Sequence, residues 1–224
     1  MSTYYSGHKD QAFGHISYSQ HGDDYMILNI FKLLGIDRPS YLDIGAHDPE
    51  AISNTKLLYD RGSRGVNVEA NPNLIKRFNE LRPGDINTNV GVGVGVSPGV
   101  AEFYMYSDTS GRNTFSADEV KTLEGVMQVR SIIKLPIVTL NQIVEQHCAG
   151  VFPELLTMDI EGYDYAVLAA ADFSKSKPIV IVVETRRTET NSMAAMLREK
   201  EFHLYCRMGE NLFFIHRNYF SRAY

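Results

Sequence analysis

Cysteine is scarce: Cys148 and Cys206 are the only two in 224 residues. One pair cannot build the framework of a disulfide-stapled secreted domain, and without a C-x-x-C neither zinc nor dithiol redox chemistry has its usual ligands. Runs of Lys and Arg are missing too. The formal net charge is -5, and the adjacent arginines of "ETRRTE" are flanked by acids, so the chain lacks the basic face that a nucleic-acid partner requires. No apolar stretch approaches the roughly 20 residues of a membrane span. The opening "MSTYYSGHKDQAFGH" contains no apolar signal region. These absences set an expectation of a reducing, cytoplasmic location with neither nucleic acid nor membrane as partner.

What is present fits a globular domain. Hydrophobic residues make up 44% and charged residues 22% of the chain, and its length suits one α/β domain spanning 1–224. Residues 1–20 read as a polar, aromatic arm. "DDYMILNIFKLLG" spaces Tyr25, Leu28, Phe31 and Leu34 as one helical face, with Asp24 near the start and Gly35 as the stop. "SYLDI" then reads as a strand, "NTKLLYDRG" as a helix, "RGVNVEA" as a strand and "NPNLIKRFNELRPG" as a helix with an Asn-Pro opening. Such alternation predicts a mostly parallel sheet with right-handed crossovers and helices on both faces.

The middle breaks the pattern. "INTNVGVGVGVSPGVAEFYMY" suggests a hairpin, or a strand with an appended strand, turning at Ser97-Pro98-Gly99. Residues 107–131 are polar with weak helical signal, and a connection that long reads as a lid. Alternation resumes with "PIVTLNQIVEQHC", "ELLTMDI", "DYAVLAAADF", the continuously apolar "PIVIVVE" and "NSMAAMLREKE". The short Met208-Gly209-Glu210 link makes "FHLYCR" and "NLFFIH" an antiparallel pair, since a parallel crossover needs a dozen or more residues.

Ligands of open α/β sheets bind beyond the carboxyl ends of the strands. Here those ends carry Asp43 and Gly45, then Glu69-Ala70-Asn71, then Asp159-Ile160-Glu161-Gly162, then Glu184. A single acid in such a place is ordinarily a helix cap or a solvated loop residue. Four strands ending in carboxylates are harder to assign that way. Gly45 stands alone, so the G-x-G-x-x-G cradle for a pyrophosphate is missing, which counts against a nicotinamide dehydrogenase. Glu69 follows Asp43 by 26 residues at the end of the next strand, where an acid bonds the ribose hydroxyls of an adenine nucleoside. The pattern suits an adenosyl group without a diphosphate, and S-adenosylmethionine has that form.

"YSQHGDD", "YLDIGAHDPEAISNT", "GVNVEANP", "GVAEFYM" and "LLTMDIEGYDYAVL" occur in order between Tyr18 and Leu168. In this ordered set the chain resembles the FkbM family of class I S-adenosylmethionine-dependent methyltransferases. The resemblance implies a Rossmann-like, seven-stranded sheet whose last strand is antiparallel. It also implies methyl transfer to a hydroxyl of a sugar, a glycoside or a related small molecule. Under it, Asp43, Gly45, Ala46, Glu69, Ala70, Asn71, Asn54 and Gln20 are cofactor-binding candidates. Asp159, Glu161 and His47 are catalytic candidates, with Asp159 the first choice for promoting deprotonation of the acceptor hydroxyl. Asp159 and Glu184 together are candidates to hold Mg²⁺ through oxygen ligands. Asp159 as a plain helix cap, and the whole chain as a non-catalytic module binding an adenosyl cofactor, are the competing readings. Asn113 and Thr114 are expected to cover the cofactor or meet the substrate. His147, His203 and His216 read as structural.

Overall fold

The computed structural model describes residues 16–95 and 99–223. Most of the N-terminal arm, and Ser97-Pro98 of the expected turn, lie outside the described residues. The chain order is α1 (Asp23–Leu34), β1 (Tyr41–Ile44), α2 (Lys56–Asp60), β2 (Gly65–Val68), α3 (Pro72–Leu81), β3 (Ile86–Thr88), β4 (Gly91–Val92), β5 (Gly99–Met105) and α4 (Ala117–Thr122). It continues with β6 (Ser131–Val138), α5 (Leu140–His147), β7 (Leu155–Met158), α6 (Asp164–Ala170), β8 (Val180–Glu184), α7 (Thr190–Glu199), β9 (Phe202–Met208), β10 (Asn211–His216) and α8 (Arg217–Phe220).

Seven strands form one sheet in the order β3-β2-β1-β7-β8-β10-β9. The pairs among β1, β2, β3, β7 and β8 are parallel, whereas β10 runs antiparallel to both β8 and β9. The expected mostly parallel sheet and the antiparallel pairing of the last two strands are both observed. Alternation along β8 shows why the sheet is covered twice. Val180 and Val182 pack with Ile27, Phe31 and Leu58 of α1 and α2, while Ile181 and Val183 pack with Leu168, Met193 and Leu197 of α6 and α7. Each such side chain contributes about 1.5–3 kcal/mol on burial. A continuous apolar run is therefore what a strand buried on both faces requires.

Local chemistry sets the helix ends. Asn71 accepts the N–H of Asn73, with Pro72 opening α3, and Thr139 and Gln142 form a reciprocal capping box on α5. At α1, buried Asp24 accepts hydrogen bonds from the Ser17 and Ser19 hydroxyls and the Tyr18 N–H, fastening residues 17–19 to the helix. No helix among the described residues is long and apolar enough to cross a membrane.

The hairpin expected around residues 90–105 is corrected. β4 and β5 do not pair with each other; β6 lies between them in a separate three-stranded sheet, parallel to β4 and antiparallel to β5. β6 starts well before Pro136. The proline lacks a ladder N–H, and it sits one residue before the β4 pairing begins at Ile137, where β6 has only β5 beside it. A Cβ on Gly91 would lie 2.4 Å from both Ile137 and Phe115, so this glycine admits close neighbours rather than a phosphate.

Candidate active site

The sheet reverses its strand order between β1 and β7, and the crevice of an open α/β sheet forms at such a reversal. A cavity of about 330 Å³ opens there. It is lined by Asp43, Gly45, Ala46 and His47 after β1, Glu69 and Ala70 after β2, Asp159, Ile160 and Glu161 after β7, and Glu184 at the end of β8. Gln20 and Asn54 reach it from the loops, and residues 110–115 from the lid-like segment. Every cofactor-binding, catalytic and metal candidate named from the sequence lines this cavity except Asn71. That residue caps α3 and donates its side-chain N–H to the Asp108 carbonyl, tying the segment after β5 to the helix.

Among the described residues, three of the five non-glycine residues with positive φ, His47, Ile52 and Glu161, line the cavity. Left-handed backbone at such residues costs on the order of 1–2 kcal/mol each and persists where surrounding contacts fix it, often at functional loops. The His47 N–H donates to Glu69 Oε2 at 2.8 Å, and its Nε2 lies 3.3 Å from the Thr109 carbonyl oxygen. Burial lowers the His47 pKa, so the ring is neutral at pH 7 and joins the β1 loop to the segment above the cavity. The Asn71 N–H donates to Glu69 Oε1 at 2.6 Å. Two backbone donors thus fix the Glu69 carboxyl, which burial nonetheless pushes up to about 7. Asn54 Nδ2 donates to Thr157 Oγ1 at 3.0 Å, which anchors the loop before α2 to β7.

Asp159 does not cap α6. Asp164 holds that loop, accepting the N–H groups of Ile160 at 3.1 Å and Gly162 at 3.3 Å. Asp159 faces the open cavity and is itself accessible to solvent there, but the protein massed around the cavity still weakens the solvation of its charge. That desolvation, followed by the neighbouring Glu184 charge, holds its pKa well above the usual carboxylate range. Asp159 and Glu184 end the neighbouring strands β7 and β8 and line the same cavity; burial raises the Glu184 pKa as well, and the facing Glu210 carboxyl adds to that rise. Glu161 is pushed up to about 7 by burial and by Glu184.

This donor set does not fit the expected Mg²⁺. A small hard cation needs several unprotonated oxygens in near-octahedral array. Among the described residues no group of three or more His, Cys, Asp or Glu side chains is arranged to hold a metal ion.

Glu210 and Arg112 are cavity residues that escaped the sequence reading. Glu210 sits in the β9–β10 turn; because β10 pairs antiparallel with β8, that turn returns to the carboxyl edge, and the predicted topology implied as much. Arg112 brings a cation toward Glu161 and Glu184 from the segment after β5. Asn113 does more than cover the site: it accepts the Tyr106 N–H and donates to the Ser107 carbonyl, shaping the turn that carries Arg112.

Raised carboxyl pKa values imply a pH effect. The folded protein binds more protons than the unfolded chain between the unfolded carboxyl pKa, near 4, and the raised values near 7, so stability falls as pH rises through that window. Glu161→Gln removes one of these groups. Its stability relative to wild type is expected to improve by about 1–2 kcal/mol between about pH 5 and pH 8, a figure discounted for solvent screening. Urea titrations at both pH values check this, and an unchanged difference between the two proteins contradicts it.

A family model described as the methyltransferase FkbM domain matches residues 43–204. Among solved structures, the chain is similar to methyltransferase FkbM from Methylobacillus flagellatus KT, at 14% identity and a TM-score of 0.48, covering 80% of this chain and 44% of that one. This chain therefore spans less than half the length of that protein. No curated protein matches.

Proposed function

The chain belongs to the FkbM methyltransferase family, and we propose that it transfers a methyl group from S-adenosylmethionine to a hydroxyl of a sugar, a glycoside or a related small molecule. The observation that carries this reading is the Asp159–Glu184 carboxyl pair, which shares a cavity with Asp43 and Glu69 across the strand-order reversal. When bound, the cofactor supplies an electrophilic methyl on a sulfonium.

The remaining roles fall to this chain's own residues. Glu69 accepts hydrogen bonds from the ribose hydroxyls. Asp43, Gln20 and Asn54 surround the amino-acid head. Val90, Val92 and Phe103 offer the apolar wall that an adenine needs. A neutral alcohol is a weak nucleophile until its proton leaves. With the methyl group supplied by the cofactor and its sulfide the leaving group, the Asp159–Glu184 pair would take up the hydroxyl proton of the acceptor. Glu161 and Arg112 border the acceptor. Acids at this rim suit the sulfonium cation and disfavour polyanions, in keeping with a small acceptor rather than nucleic acid. In this reading residues 1–224 act as one cytoplasmic domain, with 107–131 as the lid.

Methyl-labelled S-adenosylmethionine incubated with a panel of monosaccharides and glycosides tests the acceptor class. Label recovered as a methyl ether supports it. Label recovered on nitrogen or carbon overturns it, and cofactor binding with no transfer to any panel member favours the binding module.

A further inference from the structure

Beneath the cavity floor lies a polar cluster that the mechanism does not use. Arg82, at the carboxyl end of α3, is fully buried and reaches no part of the cavity. Its Nε and Nη2 contact Asp85 Oδ2 at 2.9 Å each, and its Nη2 donates to the Tyr41 hydroxyl at 2.8 Å. Asp85 also accepts from the Tyr41 hydroxyl, the Gly65 N–H and Asn67 Nδ2. A buried ion pair stripped of water survives only when the remaining donors and acceptors are met, and here they are met by β1, β2 and the α3–β3 turn together.

One more contact leads to the cavity. Arg82 Nη1 and Nη2 both donate to Thr55 Oγ1, at 3.1 and 3.0 Å. A hydroxyl has two lone pairs and one proton. With its acceptor side filled by the guanidinium, Thr55 has only its proton left to direct, and it donates to Asp43 Oδ2 at 2.6 Å.

We propose that Arg82 and Thr55 form a positioning relay: the buried guanidinium fixes the direction of the Thr55 hydroxyl, which holds the Asp43 carboxylate charged and oriented toward the cofactor. The role given to Asp43 rests on the proposed methyltransferase reading; the relay itself is a property of the free protein. Every element around Asp43 bears on it. Thr55 comes from the start of α2, Arg82 and Asp85 from the α3–β3 turn, and the Glu69 carboxyl from the end of β2. Burial pushes Asp43 up to about 6, the Thr55 hydrogen bond and the Arg82 charge oppose that rise, and the Asp85 charge adds to it.

The decisive variant is Thr55→Val, which keeps the shape of the side chain and removes the hydroxyl. Arg82→Met leaves Asp85 buried without its partner and is expected to unfold the domain, so it serves less well. The carboxyl-carbon NMR signal of Asp43, followed against pH in the ligand-free protein, should titrate at a higher pH in Thr55→Val. Thr55→Ser should restore the wild-type curve. Affinity for S-adenosylmethionine at about pH 7 should drop roughly tenfold in Thr55→Val, the loss of one hydrogen bond to a charged group. An Asp43 titration unchanged by Thr55→Val overturns the relay, whatever happens to cofactor affinity. A shifted titration with unchanged affinity supports the relay and removes Asp43 from the cofactor site.

Discussion

Gly45→Ala is expected to cost about 3–5 kcal/mol of stability, combining overpacking against backbone with the left-handed penalty for a residue bearing a Cβ. A Cβ built on Gly45 lies 1.8 Å from the Asp159 carbonyl oxygen, and φ is 75°. The obstruction is main chain, so no side chain can swing away. The strand ends are also locked together: the Gly45 and Ala46 N–H groups both donate to the Val68 carbonyl, and the Asp159 N–H donates to the Ile44 carbonyl. For a chain of this length the fall in Tm should be about 10 °C or more, read by calorimetry. Gly35→Ala is the control. It has a similar φ of 76° but nothing within 4 Å of the added carbon, so it should lose only about 1–2 kcal/mol. Equal losses at the two positions would show that the close approach at Gly45 is not what the fold depends on.

Asp159→Asn should lower turnover by about 10²–10⁴-fold, the usual contribution of a general base. The side chain keeps its shape but can no longer take up a proton, so the pair loses half its capacity. S-adenosylmethionine affinity should change little, because the groups assigned to the nucleoside lie after β1 and β2. A metal-independent pair also predicts that a chelator leaves the wild-type rate unchanged. Wild-type turnover in Asp159→Asn would eliminate Asp159 as a participant, and a rate abolished by chelator and restored by Mg²⁺ would contradict a metal-independent pair.

The fold was legible where side-chain periodicity and connection length decide the outcome. Val180–Val183 announced a strand buried on both faces, and three residues between Arg207 and Asn211 left only an antiparallel return. The residues lining the cavity were legible for a related reason: the carboxyl edge of a parallel sheet collects whatever follows each strand. The three-stranded sheet was not legible. Its order depends on β6 inserting between β4 and β5, a choice made by tertiary packing around Gly91 and Leu135. Nor does local pattern announce the Arg82–Asp85 pair. "NELRPGD" reads as an ordinary helix end, and only the fold brings Tyr41 and Thr55 to meet it. Gly45 stood out in the sequence as a lone glycine at a strand end, but what keeps a side chain out there is the Asp159 carbonyl, a neighbour that only the fold brings close.

Calorimetric titration of S-adenosylmethionine into the wild-type protein and into Glu69→Gln tests the central claim most directly, because it asks whether the cavity at the strand reversal is an adenosyl site. The account predicts one cofactor per chain, and about 10- to 150-fold weaker binding once the Glu69 charge is gone. An isotherm with no heat for S-adenosylmethionine, or an affinity that Glu69→Gln leaves untouched, would contradict it.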